Sequence, residues 1–147
     1  CLLIDFGASY GGMHADITRT FFCQHLSDEY HKIYDVVRQA NEAAIDKVRV
    51  GISVGLVDDV ATSILENSPY ADFILHKTGH GLGIDIHEAP QILRNNKTLM
   101  AQGMVFTIEP GLYITGELGV RIEDNVHVGP DCADCLTSFD KKVQVFG

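Results

Sequence analysis

The sequence predicts an α+β fold, and three observations carry that prediction: a hairpin-patterned N-terminal stretch, two amphipathic helical stretches after it, and a glycine-punctuated run of strands from about residue 72 onward. Residues 1–8 and 16–23 are apolar or β-branched and flank Tyr10, Gly11 and Gly12, which is the pattern of two strands joined by a tight turn. Ser27 then offers a helix cap, with Asp28 and Glu29 in the first turn, where the helix dipole favours negative charge. Ile33, Tyr34, Val37, Ala40, Ala44, Ile45 and Val48 recur at helical spacing before Lys47, Arg49 and Gly51 close the element. A second helix is predicted from Ser53 to about Glu66, with Val57, Val60, Ala61 and Ile64 on one face and Asn67, Ser68 and Pro69 as its stop.

At 147 residues, with 46% hydrophobic and 21% charged side chains, the chain can bury one core and is too short for two ordinary domains. A single domain over residues 1–147 is expected. No apolar run approaches the roughly 18 residues of a membrane span, and the start lacks the basic flank of a secretory signal, so a soluble protein is expected. The formal charge of −9, without a basic cluster, excludes a phosphate-backbone partner as the default, because nucleic-acid binding rests on Lys and Arg. Of the four cysteines, Cys132 and Cys135 form a CxxC without a second Cys or His pair at zinc spacing. Free thiols in a reducing cytoplasm are the simpler reading. The chain opens on Cys-Leu-Leu-Ile-Asp, already the interior of an apolar strand, and reads as part of something longer.

The acidic residues are distributed in pairs. Asp5 and Asp16 are centred on Tyr10 and Gly11, so a tight turn is expected to set them about opposite each other on one face. Glu109 and Glu123 are likewise centred on Gly116, with Pro110 and Gly111 raising the expectation of a bulge. Facing like charges destabilise a sheet, so each pair calls for a cation or a shared proton. His76, His80 and His87 lie within twelve residues, among Gly79, Gly81 and Gly83, glycines that would let the backbone approach a ligand or metal closely.

Four stretches resemble, in order, the motifs of the pita-bread metallopeptidases, the family of methionine aminopeptidase, aminopeptidase P and prolidase. They are IDFGASYGGMHADITRTF, HKTGHGLGIDIHEAP, GMVFTIEPGLYI and GVRIEDNV. The resemblance implies a partial pita-bread fold, a curved antiparallel sheet with two covering helices. It further implies that the chain is the C-terminal portion of the catalytic domain, with the N-terminal half and an upstream domain absent.

Carried over residue by residue, the resemblance implies that Asp5 binds one metal, that Asp16 and Glu123 bridge two, and that His80 and Glu109 complete the second. Glu109 would also act as general acid/base, His87 would sit near the scissile carbonyl, His76 would line the substrate site and Arg121 would stand beside the bridging glutamate. Two divalent ions would activate a bridging hydroxide. The oxygen-rich set favours manganese, with cobalt or zinc as alternatives.

GIDIHEAP, and Arg121 two residues before Glu123, resemble the proline-directed branch, which hydrolyses the Xaa-Pro bond of peptides with proline at the second position. The alternatives are a methionine aminopeptidase-like enzyme and a non-catalytic peptide-binding module on the same fold. A homodimer of the parent protein is compatible with the resemblance.

Overall fold

The structure, a computed structural model, describes all 147 residues. The N-terminal strands β1 (Leu2–Tyr10) and β2 (Met13–Cys23) form the expected hairpin and run longer than the apolar stretches alone suggest. Its last pair is Tyr10 with Met13, so the turn consists of Gly11 and Gly12, at φ 59° and 81°. A two-residue loop with both central residues at positive φ matches the twist of the flanking strands, and glycine adopts it without strain.

That turn corrects the expected register. Asp5 pairs with Thr18 and Asp16 with Gly7, so the two aspartates are diagonal neighbours rather than directly opposite. They still share a face, because side chains two residues apart on a strand point the same way.

Helix α1 (Asp28–Lys47) begins where Ser27 Oγ accepts a 3.2 Å hydrogen bond from the Tyr30 amide. It buries Ile33, Tyr34, Val37, Ala40 and Ala44, as the periodicity predicts, and with them a polar residue, Asn41. Helix α2 (Val54–Glu66) packs against α1. Its buried face is Val54, Val57, Ala61 and Leu65; the expected Val60 and Ile64 are half-buried at its margin. The face is rotated because Gly55 and Asp58 are also turned inward, Gly55 against the Asn96 main chain and Asp58 toward the Thr78 amide, to which Oδ1 is 2.9 Å.

After a 3-10 turn at Ala71–Phe73 come the remaining strands: β3 (Gly79–Gly81), β4 (Glu88–Ile92), β5 (Val105–Ile108), β6 (Gly111–Ile114), β7 (Leu118–Arg121), β8 (Asp124–Val128), β9 (Ala133–Cys135) and β10 (Val145–Phe146). Five of them make an antiparallel sheet in the order β4-β3-β5-β8-β9, while β6 and β7 form a hairpin. β10 joins the outside of β2 in parallel, the one departure from an antiparallel arrangement. One contiguous core links both helices to β5, β6, β7 and β8 through Val37, Val57, Phe106, Leu112, Val120 and Val126. Fully burying an aliphatic side chain of this kind contributes about 1.5–3 kcal/mol, so this shared core holds the helices onto the sheet.

The β5–β8 and β6–β7 ladders keep a single register: Ile108 pairs with Asp124 and Gly111 with Arg121. Between them the ladder is interrupted rather than bulged: Pro110 has no N–H to donate, which leaves one long cross-strand bond, from the Ile122 amide to the Pro110 carbonyl at 3.4 Å. Glu109 and Glu123 stand in facing positions in that interruption. Their amides are bonded elsewhere, Glu109 N–H to the Thr78 carbonyl at 2.7 Å and Glu123 N–H to the Thr18 carbonyl at 3.1 Å. The second bond joins the aspartate hairpin to the glutamate strands.

Leu2, Phe6 and Tyr10 of β1 are exposed on the opposite side of the hairpin, as are Ile84 and Ile86 beyond β3. No helix is long and apolar enough to cross a membrane.

Candidate metal centre

Every one of the five residues expected as ligands reaches one region. Three groups of donor atoms, each within 4.8 Å of one another, overlap there: Asp5, Asp16 and Glu123; His80, Glu109 and Glu123; and Asp16, His80 and His87. Asp16, His80 and Glu123 are buried, Glu109 is half-buried, and Asp5 and His87 lie at the exposed rim.

His80 is oriented by its own main chain. Its Nδ1 is 3.0 Å from the Gly81 carbonyl, which only accepts, so Nδ1 carries a proton and Nε2 is the nitrogen left to face the site. Nε2 lies 3.3 Å from Glu109 Oε1 and 3.9 Å from Asp16 Oδ2. Thr107 ties the same two residues together, its hydroxyl accepting from the His80 amide at 3.1 Å and donating to Glu109 Oε1 at 3.2 Å.

Burial makes these carboxylates reluctant to ionise. Desolvation pushes Glu123 up from 4.5 to about 8, with Glu109, Asp16 and Asp5 adding repulsion, while the Thr18 hydroxyl opposes the shift from 2.5 Å. Asp16 is raised by burial and by Asp5, and Glu109 is raised by burial. Buried acids beside an imidazole nitrogen form a set that a divalent cation would satisfy; the one protein cation at its edge, Arg121, pairs with Asp5 and comes within 4.0 Å of Glu109 Oε2. The donor set therefore fits a metal, and its five residues offer up to four carboxylates and one imidazole for oxygen-rich coordination.

A hydrogen-bonded chain runs along one side. Arg121 donates from Nη2 to Asp5, from Nε to Thr18 Oγ1 at 3.1 Å, and from Nη1 to the Tyr113 hydroxyl at 3.0 Å. The Tyr113 hydroxyl lies 2.7 Å from His76 Nε2, and His76 Nδ1 is 2.8 Å from the Lys77 carbonyl. Since that carbonyl takes a proton from Nδ1, Tyr113 donates to Nε2. Burial raises Tyr113, keeping it a neutral donor. On the other side the His87 ring packs edge-on against His80 with centroids 4.2 Å apart.

Thr18, Thr107 and Tyr113 are site residues that sequence reasoning missed. Thr18 and Thr107 lie two residues from Asp16 and Glu109 on alternating strands, and that spacing was the available signal. The glycines also have a different explanation from the expected one. A Cβ on Gly79 would lie 1.9 Å from the Thr107 carbonyl oxygen, on Gly81 2.3 Å from that of Ala89, and on Gly83 2.8 Å from the Glu88 carboxylate. They let strands and a neighbouring side chain close around His80, not a metal.

The description "Metallopeptidase family M24" matches residues 1–130. The chain belongs to this family. It is 37% identical to an Xaa-Pro dipeptidase of Pyrococcus furiosus over 142 residues, 97% of this chain and 41% of the relative. An Xaa-Pro dipeptidase of Lactobacillus helveticus is 38% identical over 144 residues, 98% of this chain and 39% of the relative. Among solved structures, a prolidase from Thermococcus sibiricus superposes with a TM-score of 0.95 at 43% identity, covering 97% of this chain and 39% of that one. The M24 chain thus spans about two fifths of the length of these relatives, with the fold of a pita-bread peptidase over that span.

Proposed function

We propose that the protein carrying this sequence is a metal-dependent exopeptidase that hydrolyses the Xaa-Pro bond at peptide N-termini, and that residues 1–147 are the C-terminal portion of its catalytic domain. The convergence of Asp5, Asp16, His80, Glu109 and Glu123 is the observation that carries this reading. Similarity to dipeptidases and a prolidase supports the proline-directed branch.

In this reading Asp5, Asp16, His80, Glu109 and Glu123 would hold two divalent ions, Asp16 and Glu123 being shared between them, and the oxygen-rich set would favour manganese. When bound, the pair supplies Lewis acidity and an activated water for attack on the peptide carbonyl.

The chain's own residues do the rest. Glu109, held by Thr107 and raised by burial, is suited to take a proton from the attacking water and pass it to the proline nitrogen as the C–N bond breaks. That nitrogen has no proton of its own in the peptide, so the leaving group requires one. His87 at the rim offers a hydrogen bond to the carbonyl oxygen as it gains charge. Arg121 holds Asp5 and Tyr113 in place, and Tyr113 in turn orients His76 toward the substrate side. We assign the protein to a reducing cytoplasm, in keeping with four exposed free thiols.

The test is a peptide panel on the full-length protein with added manganese. Cleavage of Xaa-Pro peptides with Met-Ala peptides spared supports the proposal. Cleavage of Met-Ala peptides alone would assign the methionine-directed branch, and binding of peptides without turnover would make it a binding module.

A further inference from the structure

Asn41 is the only polar residue among those buried by α1, and its side chain is fully enclosed. Its Nδ2 donates to the Ile108 carbonyl at 2.9 Å and to the Ile122 carbonyl at 3.3 Å. Its Oδ1 accepts from Lys141 Nζ at 2.7 Å. The orientation of the amide is dictated by chemistry, because an ammonium can only donate and a carbonyl can only accept.

Ile108 and Ile122 are the residues immediately before Glu109 and Glu123. Both carbonyls lie at the interruption between the β5–β8 and β6–β7 ladders, where Pro110 has no N–H to give and the Ile122 amide, 3.4 Å from the Pro110 carbonyl, makes one long cross-strand bond. One carboxamide reinforces that weak junction from the helix side, holding together the peptide units that carry the two glutamates.

Behind it, the network continues. Lys141 Nζ lies 2.8 Å from Asp124 Oδ2, and Arg19 Nη2 lies 2.7 Å from Asp124 Oδ1. Arg19 Nη1 also donates to the Glu123 carbonyl at 2.6 Å and to the Thr18 carbonyl at 2.9 Å. Glu123 is thus held by its preceding carbonyl through Asn41 and by its own through Arg19. Glu109 is held on this side by the Asn41 bond to its preceding carbonyl, with no counterpart of the Arg19 contact.

The geometry points to Asn41 as a positioning residue for the metal centre: it sets the Glu109–Glu123 separation from the helix side, and so governs occupancy of the ion that those two glutamates share with His80. The inference rests on the metal reading proposed above. It touches neither substrate nor metal, and acts through main-chain carbonyls.

The test uses full-length protein titrated with manganese by calorimetry, with metal content checked by elemental analysis. Asn41→Ala keeps a small residue in a helix that already buries Ala40 and Ala44, and Asn41→Asp keeps the shape but turns the donor into an acceptor facing two carbonyls. Val37→Ala, on the same buried face, serves as a control for stability loss alone.

We expect both Asn41 variants to bind the second equivalent of manganese about 10–100-fold more weakly, the cost typical of removing an outer support of a ligand, with the first equivalent near its original affinity. The control should retain both affinities. Turnover at saturating substrate should fall with little change in KM. Unchanged affinity for the second ion in Asn41→Ala, or an equal loss in Val37→Ala, overturns the proposal. Failure of the unaltered protein to bind two ions is a different result, since it removes the metal reading itself.

Discussion

Thr18 and Glu123 are joined by two hydrogen bonds that come from different strands and serve one purpose. The Thr18 hydroxyl donates to Glu123 Oε2 at 2.5 Å, and the Glu123 amide donates to the Thr18 carbonyl at 3.1 Å. Thr18 Oγ1 also accepts from Arg121, so one hydroxyl links the bridging glutamate to the arginine that holds Asp5. A Thr18→Val substitution keeps the shape and removes that junction. It should cost about 2 kcal/mol, the scale of a hydrogen bond to a charged group, and weaken manganese binding about tenfold. Denaturant unfolding with and without metal measures both.

Stability of the metal-free protein should carry the signature of Glu123. Folded, it holds its proton to about 8; its ordinary value is 4.5. Between those values the folded state binds more protons than the unfolded one, so the contribution is fully present below pH 4.5 and is lost as pH rises through 8. Glu123→Gln should therefore flatten the fall in Tm between pH 5 and pH 8. A fall of equal size in the variant would assign it to other groups.

Metal uptake at pH 7 should release protons, because the ion displaces the one that burial keeps on Glu123. Titration in two buffers of different ionisation enthalpy detects the release as a difference in apparent heat.

His80→Ala should leave one equivalent of metal bound and lower turnover by at least a hundredfold, since its Nε2 is the only nitrogen of the five-residue set. Elemental analysis after dialysis against manganese reads the first effect, and an Xaa-Pro peptide assay the second.

Gly79→Ala places a methyl against the Thr107 carbonyl, main chain against main chain, with no flexible side chain to yield. It should destabilise the fold by about 1–3 kcal/mol and displace His80, which follows directly, so that metal affinity falls with stability. Comparison with Gly103→Ala separates strain from steric conflict: Gly103 sits at φ 90° with open space around its Cβ, so its loss is conformational only.

Much of this was legible in the chain itself. Local pattern determined the hairpin around Gly11 and Gly12, the capped helix after Ser27 and the run of strands beyond it, because turn chemistry and periodicity act over a few residues. The five acidic and imidazole positions were likewise legible, since strand spacing and four ordered motifs both marked them.

Tertiary structure alone decided the rest. The turn residues shifted the hairpin register so that Asp5 faces Thr18 and not Asp16, a matter of two residues that spacing alone does not resolve. Thr18, Thr107 and Tyr113 became site residues only when segments distant in sequence brought their hydroxyls within hydrogen-bond reach of Glu123, the His80 amide and His76. Asn41 reads in sequence as a polar interruption of an apolar face. Its role depends on two carbonyls 67 and 81 residues away, and no local pattern records a partner at that range.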